Sequence, residues 1–182
     1  MKNIFLVLLS IILIGGCIEM LDKEKKVTAE ERMHHYLGIE LNGQTWRMLA
    51  KEELSDEDKA RMINYAKGSL YHWELSPMFK SVNRQRGEWL ISHVYTIIGL
   101  EKQALEHAQL CMKLTKELEL KDFDLAYAYE GLARAYALNK DSTNKRKYFD
   151  LAKITSEKIK NPEDRKLFIS DLEASLWFEE EK

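Results

Sequence analysis

Two stretches of this sequence carry the same helical pattern 41 residues apart, and this recurrence limits the fold more than any other feature. Residues 86–111 align with residues 127–152, so that Tyr95 falls on Tyr136. Each stretch contains two patterns with helical spacing and a short break between them. A repeat of about 20 to 50 residues made of two helices predicts a solenoid, because each unit leaves an apolar face that only its neighbour can cover.

Few turn-forming residues interrupt these patterns. Only 8 glycines and 2 prolines occur among 182 residues, which favours long helices joined by short loops over a sheet with many turns. Start signals at Thr28, Ser55 and Asn161, with a break at Pro77, divide the chain into about seven helices. We therefore predict an all-α fold of antiparallel helical hairpins stacked as a short solenoid over residues 28–178.

The repeated residues resemble the tetratricopeptide repeat (TPR) family. Each unit has a small residue midway along its first helix and an aromatic residue three positions later, namely Ser92 and Tyr95, then Ala133 and Tyr136. A helix-ending glycine is present at Gly99 but is replaced by Lys140, and the 41-residue spacing is longer than usual for the family. The blocks YHW, RGEWL and DFDLAYAYEGLARA also resemble uncharacterised bacterial TPR-like proteins. The resemblance implies a concave surface lined by the first helix of each pair.

The N-terminus has the layout of a secretory signal. In MKNIFLVLLSIILIGGC, a basic start precedes an apolar run that is too short to span a membrane comfortably, and then two glycines and Cys17. This ending resembles the bacterial lipobox, with Ile14 where leucine is usual. We therefore predict a cleaved signal peptide over residues 1–16 and a lipidated Cys17 with its tether over residues 17–27. Two or more acyl chains would hold the protein stably on a membrane.

Two other interpretations of the N-terminus remain open. The apolar run could stay uncleaved as an anchor, or translation could begin at Met20 and give a cytosolic protein. If Cys17 is lipidated, Cys111 is the remaining cysteine, and no intramolecular disulfide can form. The formal net charge of -2 gives no general attraction for nucleic acid, so we expect no such partner.

The TPR resemblance predicts which side chains bind a partner. Carried over by position, it places six residues on the concave surface, namely Arg86, Trp89, His93, Tyr127, Glu130 and Arg134. Spacings of three or four residues keep each trio on one helix face, with guanidinium groups for a carboxylate and aromatic rings for contact area. The alternative is structural: Glu130 and Arg134 form an ordinary i,i+4 pair worth about 0.2–0.5 kcal/mol, and Trp89 belongs to the core.

No motif in the sequence indicates catalysis or a bound metal. His107 and Cys111 could face one ion, and His34 adjoins His35, but neither pair has partners at the spacing a zinc site needs. The sequence also lacks HExxH, a Gly-rich phosphate loop and GxSxG. His72 and Glu74 could do acid–base chemistry only if they pointed the same way, which neighbouring helical positions do not. We expect no cofactor, no metal and no enzymatic activity.

Together these features predict a lipid-anchored, TPR-like module of the cell envelope that binds a protein or peptide. The alternative is a structural or accessory lipoprotein whose groove is closed by self-association. Exposure of Trp177 and Phe178, which precede an acidic tail at residues 179–182, would favour this alternative. An enzyme is the third possibility.

Overall fold

In a computed structural model, residues 26–174 are described, and they form seven helices with no strand among them. The helices are α1 (Ala29–Leu49), α2 (Asp56–Glu74), α3 (Ser81–Ile97), α4 (Glu101–Glu117), α5 (Asp122–Leu138), α6 (Ser142–Ser156) and α7 (Pro162–Glu173). The predicted all-α class with about seven helices is confirmed.

Several predictions fall on residues outside the described range. These are the signal peptide at 1–16, Cys17 with most of its tether at 17–27, the alternative start at Met20, the pair Trp177 and Phe178, and the acidic tail at 179–182. Helix α7 ends at Glu173, earlier than expected, because Ala174 turns to extended backbone with φ -62° and ψ 127°. Between residues 26 and 174, no helix combines the length and the apolar character needed to cross a membrane.

Polar side chains fix the helix starts where the sequence predicts them. The Thr28 hydroxyl accepts a hydrogen bond from the Glu31 backbone N–H at 3.1 Å, and the Glu31 carboxylate accepts one from the Thr28 N–H at 2.8 Å. Ser55 and Asp58 form the same capping box at the start of α2. The Asn161 side chain accepts from two backbone N–H groups of the first turn of α7. Each cap satisfies donors that a helix start leaves without an intrahelical partner.

The 41-residue repeat is visible in the helix boundaries. Helix α5 begins and ends 41 residues after α3, and α6 begins 41 residues after α4. Both first helices end in the same left-handed turn, with φ 78° at Gly99 and φ 58° at Lys140. In the first turn the Leu100 N–H donates to the Tyr95 carbonyl at 2.9 Å, and in the second the Asp141 N–H donates to the Tyr136 carbonyl at 3.0 Å. The turn therefore persists where glycine, the residue that adopts it without strain, is absent.

The helices pack as consecutive pairs. The closest associations are α1 with α2, α3 with α4, and α5 with α6, and successive pairs meet through α2 with α3 and α4 with α5. The first helices α3 and α5 also touch, while α7 packs on α5 and α6. This arrangement is the predicted solenoid of stacked helical hairpins.

Small side chains lie at the joints between helices. Ala104 and Ala133 are completely buried, and the Ser92 hydroxyl donates to the Ala104 carbonyl at 2.8 Å, which brings α3 and α4 close together. The larger Tyr136 stacks on Tyr148 of α6, with ring centroids 5.5 Å apart. The small residues of α5, such as Ala133, therefore allow neighbouring helices to pack closely against it. The aromatic residues of the same helix, such as Tyr136, stack against α6.

Candidate ligand groove

The first helix of each hairpin contributes, with α7, to a partly open groove. A cavity of about 420 Å³ lies between α1, α3, α5 and α7. A smaller cavity of about 150 Å³ adjoins it, and the two share Trp46, Trp89 and Asp171. We call these two cavities together the groove. The larger one falls within the roughly 300–1,000 Å³ typical of ligand pockets.

Stacked aromatic rings form the wall common to both cavities. The Trp89 ring lies parallel to the His93 imidazole at a centroid distance of 5.3 Å and near Trp46 of α1 at 6.1 Å. Tyr127 of α5 meets Trp89 edge to face at 5.0 Å. Trp89 and His93 are four residues apart on α3 and so share one face. A Cβ added at Gly131 would lie 3.1 Å from the Trp89 ring, so this glycine lets the indole rest on α5.

A buried ion pair closes the inner end of the groove. The Glu130 carboxylate accepts from the Arg134 guanidinium, and the two side chains are only 1% and 4% exposed. Glu130 also accepts from the Trp89 indole N–H at 2.9 Å, and Arg134 donates to the Asp171 carbonyl at 2.6 Å. The i,i+4 pair of the structural alternative is therefore present, but it is shielded from water, and its hydrogen bonds connect α5 with α3 and α7.

Helix α7 contributes one carboxylate to both cavities. The Tyr127 hydroxyl donates to the Asp171 carboxylate at 2.6 Å. Burial and this neighbouring carboxylate raise the pKa of Tyr127 well above its usual value, so the hydroxyl stays protonated. Burial likewise lowers the pKa of His93, which keeps the imidazole neutral near pH 7.

An ion pair crosses the outer rim of the groove. The Arg86 guanidinium donates to both carboxylate oxygens of Asp124, at 2.7 and 3.2 Å, and lies 6.0 Å from the Phe123 ring. Both guanidinium groups that we expected to recognise a ligand carboxylate, those of Arg86 and Arg134, therefore already hold carboxylates of their own chain. A ligand carboxylate would have to compete with Asp124 for Arg86.

Gln85 places an unused acceptor beside the larger cavity. Its side chain is 1% exposed, and its amide NH₂ donates to the Thr115 hydroxyl at 2.9 Å. Within residues 26–174, its Oε1 has no hydrogen-bond partner. A buried acceptor without a partner is uncommon, and a ligand donor in the cavity would satisfy it.

All six residues predicted to bind a partner line the groove. Arg86, Trp89 and Tyr127 line the larger cavity, while Trp89, His93, Glu130 and Arg134 line the smaller one. Several residues that also line the larger cavity were not predicted as partner-binding, among them Trp46, Gln85, Phe123, Asp124 and Asp171. Three of these carried a usable signal, because Gln85, Phe123 and Asp124 lie one helical turn before Trp89 or Tyr127. Asp171 carried none, since α7 does not belong to the repeat.

The other titratable side chains singled out in the sequence lie apart from the groove. His34 and His72 join α1 and α2 through a 2.8 Å contact between their Nδ1 atoms, and His107 bonds to the Glu88 carboxylate at 2.7 Å. Burial raises the pKa of Cys111 to about 12, so its thiol stays protonated. In the described part of the chain, no three histidine, cysteine or acidic side chains are grouped to hold a metal ion.

Comparison with known proteins adds no assignment: no protein-family model, curated protein or solved structure matches this chain.

Proposed function

We propose that this protein is a lipid-anchored, non-catalytic, TPR-like module of the cell envelope that binds a protein or peptide in its groove. The observation that carries the proposal is that the first helices of all three hairpins line one cavity, the position where the TPR resemblance expects a ligand. The 41-residue offset shared by α3/α4 and α5/α6 supports the same family likeness.

The chemistry of the groove suits a peptide better than a small polar metabolite. Its walls offer aromatic contact area from Trp46, Trp89 and Tyr127, the residue types that dominate protein-binding hot spots. The Gln85 Oε1 and the Asp171 carboxylate add acceptors for N–H donors of a ligand. Apolar surface with a few fixed polar groups provides affinity and orientation together.

A photoreactive residue at the groove tests the binding proposal. Leu167 lines the larger cavity and is 53% exposed, so its replacement by p-benzoylphenylalanine leaves the core intact. Ile154 on α6 is 55% exposed, lines neither cavity and serves as the matched control. Irradiation of cells should capture another protein through position 167 but not through position 154. Absence of a protein adduct at position 167, or equal capture at both positions, would contradict the proposal.

The membrane anchor is tested separately. Helix α1 is capped by Thr28, so residues 17–27 would connect a lipidated Cys17 to the fold. Cells fed a radioactive fatty acid should label the wild type and not Cys17→Ser. Equal labelling of the two would rule out lipidation at this cysteine and leave the binding proposal standing.

A further inference from the structure

We propose that the apolar residues that follow α7, Leu176, Trp177 and Phe178, dock into the groove of their own chain. This inference goes beyond the proposed function and does not rest on it, because it concerns contacts within one chain.

The end of α7 delivers the chain to the groove. Ala174 itself lines the smaller cavity, together with Trp46 and Trp89. The backbone of Ala174 is extended, so the chain leaves the axis of α7 at this residue. A residue adds at most about 3.3–3.6 Å of reach, which keeps the Cα of Trp177 within roughly 11 Å of that of Ala174. The apolar segment is therefore tethered beside the cavities.

The groove is chemically suited to this segment. Trp46 is 45% exposed and Leu167 is 53% exposed, although both line the larger cavity. Indole and phenyl rings gain from edge-to-face and offset contacts with aromatic walls, and Trp89 and Tyr127 provide such walls. Docking would cover apolar surface on the segment and on the groove at the same time.

Tethering favours the same chain over a second copy. A short linker gives its attached group an effective concentration of about millimolar, while the protein in a binding experiment is at about micromolar concentration. The contact within one chain should therefore exceed the contact between chains by roughly a hundredfold or more. Self-association through Trp177 and Phe178 would require these residues to bind the groove of a second copy more strongly than the groove of their own chain.

Photocrosslinking within the full-length chain tests the inference. Trp177→p-benzoylphenylalanine keeps an aromatic side chain at the position, and the protein is irradiated at about micromolar concentration in detergent micelles. Mass spectrometry of the digested monomer should locate the adduct on α1, α3 or α5 near Trp46, Trp89 or Tyr127. The same photoreactive residue at Ile154 should give no adduct there. An adduct elsewhere in the chain, on a second copy or on detergent alone would overturn the inference.

Indole NMR provides a second measurement that does not depend on the photoreactive residue. In full-length Trp177→Ala, the indole N–H signals of Trp46 and Trp89 should shift from their wild-type positions. Trp73 lines neither cavity of the groove and serves as the internal control. Unchanged signals for both groove tryptophans would overturn the inference, as would an equal shift of Trp73.

Discussion

The buried pair of Glu130 and Arg134 allows the sharpest test of the structure. An exposed i,i+4 pair stabilises a helix by about 0.2–0.5 kcal/mol. These two side chains are 1% and 4% exposed, and removal of one partner leaves the other charge buried and unpaired. We therefore expect Glu130→Ala or Arg134→Ala to lower the free energy of unfolding by roughly 3–5 kcal/mol.

The double substitution separates the cost of an unpaired charge from the worth of the pair. When Glu130→Leu and Arg134→Met are combined, no buried charge remains at this position, and apolar replacement of such pairs is often neutral. The Trp89 indole loses its acceptor, which costs about 1–3 kcal/mol if no other acceptor or water replaces it. The double variant should therefore be more stable than either alanine variant.

Urea unfolding followed by circular dichroism measures these differences. Lys113 and Glu117 form an exposed i,i+4 pair at 3.8 Å, with side chains 67% and 55% exposed, and provide the matched control. Glu117→Ala should change the free energy of unfolding by no more than about 0.5 kcal/mol. If Glu130→Ala also changes it by less than about 1 kcal/mol, the pair is not shielded from water and the reasoning is refuted.

Three further outcomes follow from the packing and the turns. Both Lys140 and Gly99 have positive φ, which glycine adopts without strain. Lys140→Gly should therefore stabilise the protein by about 1 kcal/mol, and Gly99→Ala should destabilise it by a similar amount. A lower melting temperature for Lys140→Gly, or a higher one for Gly99→Ala, would contradict this. Ala133→Leu should lower stability by roughly 1–3 kcal/mol, since the completely buried alanine leaves no room, and an unchanged melting temperature would count against the packing. Burial lowers the pKa of His93, so the unfolded chain takes up its proton at a higher pH than the folded protein. The contribution of His93 to the free energy of unfolding should be fully present above about pH 6.5 and should be lost as the pH falls below that value. The free energy of unfolding should therefore fall less steeply with decreasing pH in His93→Gln. The same slope in both proteins would argue against a buried neutral imidazole.

Local signals in the sequence are sufficient to locate most helix starts and turns. Thr28 and Ser55 carry their capping partners three residues ahead, so each cap forms within a single turn of chain. The 41-residue recurrence specifies the pairing of α3 with α4 and of α5 with α6, since each amphipathic face needs the neighbouring one. The end of α7 was predicted too late, because apolar residues continue past Glu173 while the backbone becomes extended at Ala174.

The groove depends on contacts between elements that are far apart in the chain. Glu130 and Arg134 have the spacing of an ordinary helical pair in the sequence. Their burial accompanies contacts with two other helices, namely Trp89 of α3, whose indole N–H lies 2.9 Å from Glu130, and the Asp171 carbonyl of α7, which lies 2.6 Å from Arg134. Helical periodicity identifies which residues share a face, but it does not specify what covers that face. The sequence therefore determined the helices and their pairing through short-range hydrogen bonds and periodic apolar burial. Three-dimensional packing decided which polar side chains became buried partners and which aromatic rings became the walls of a cavity.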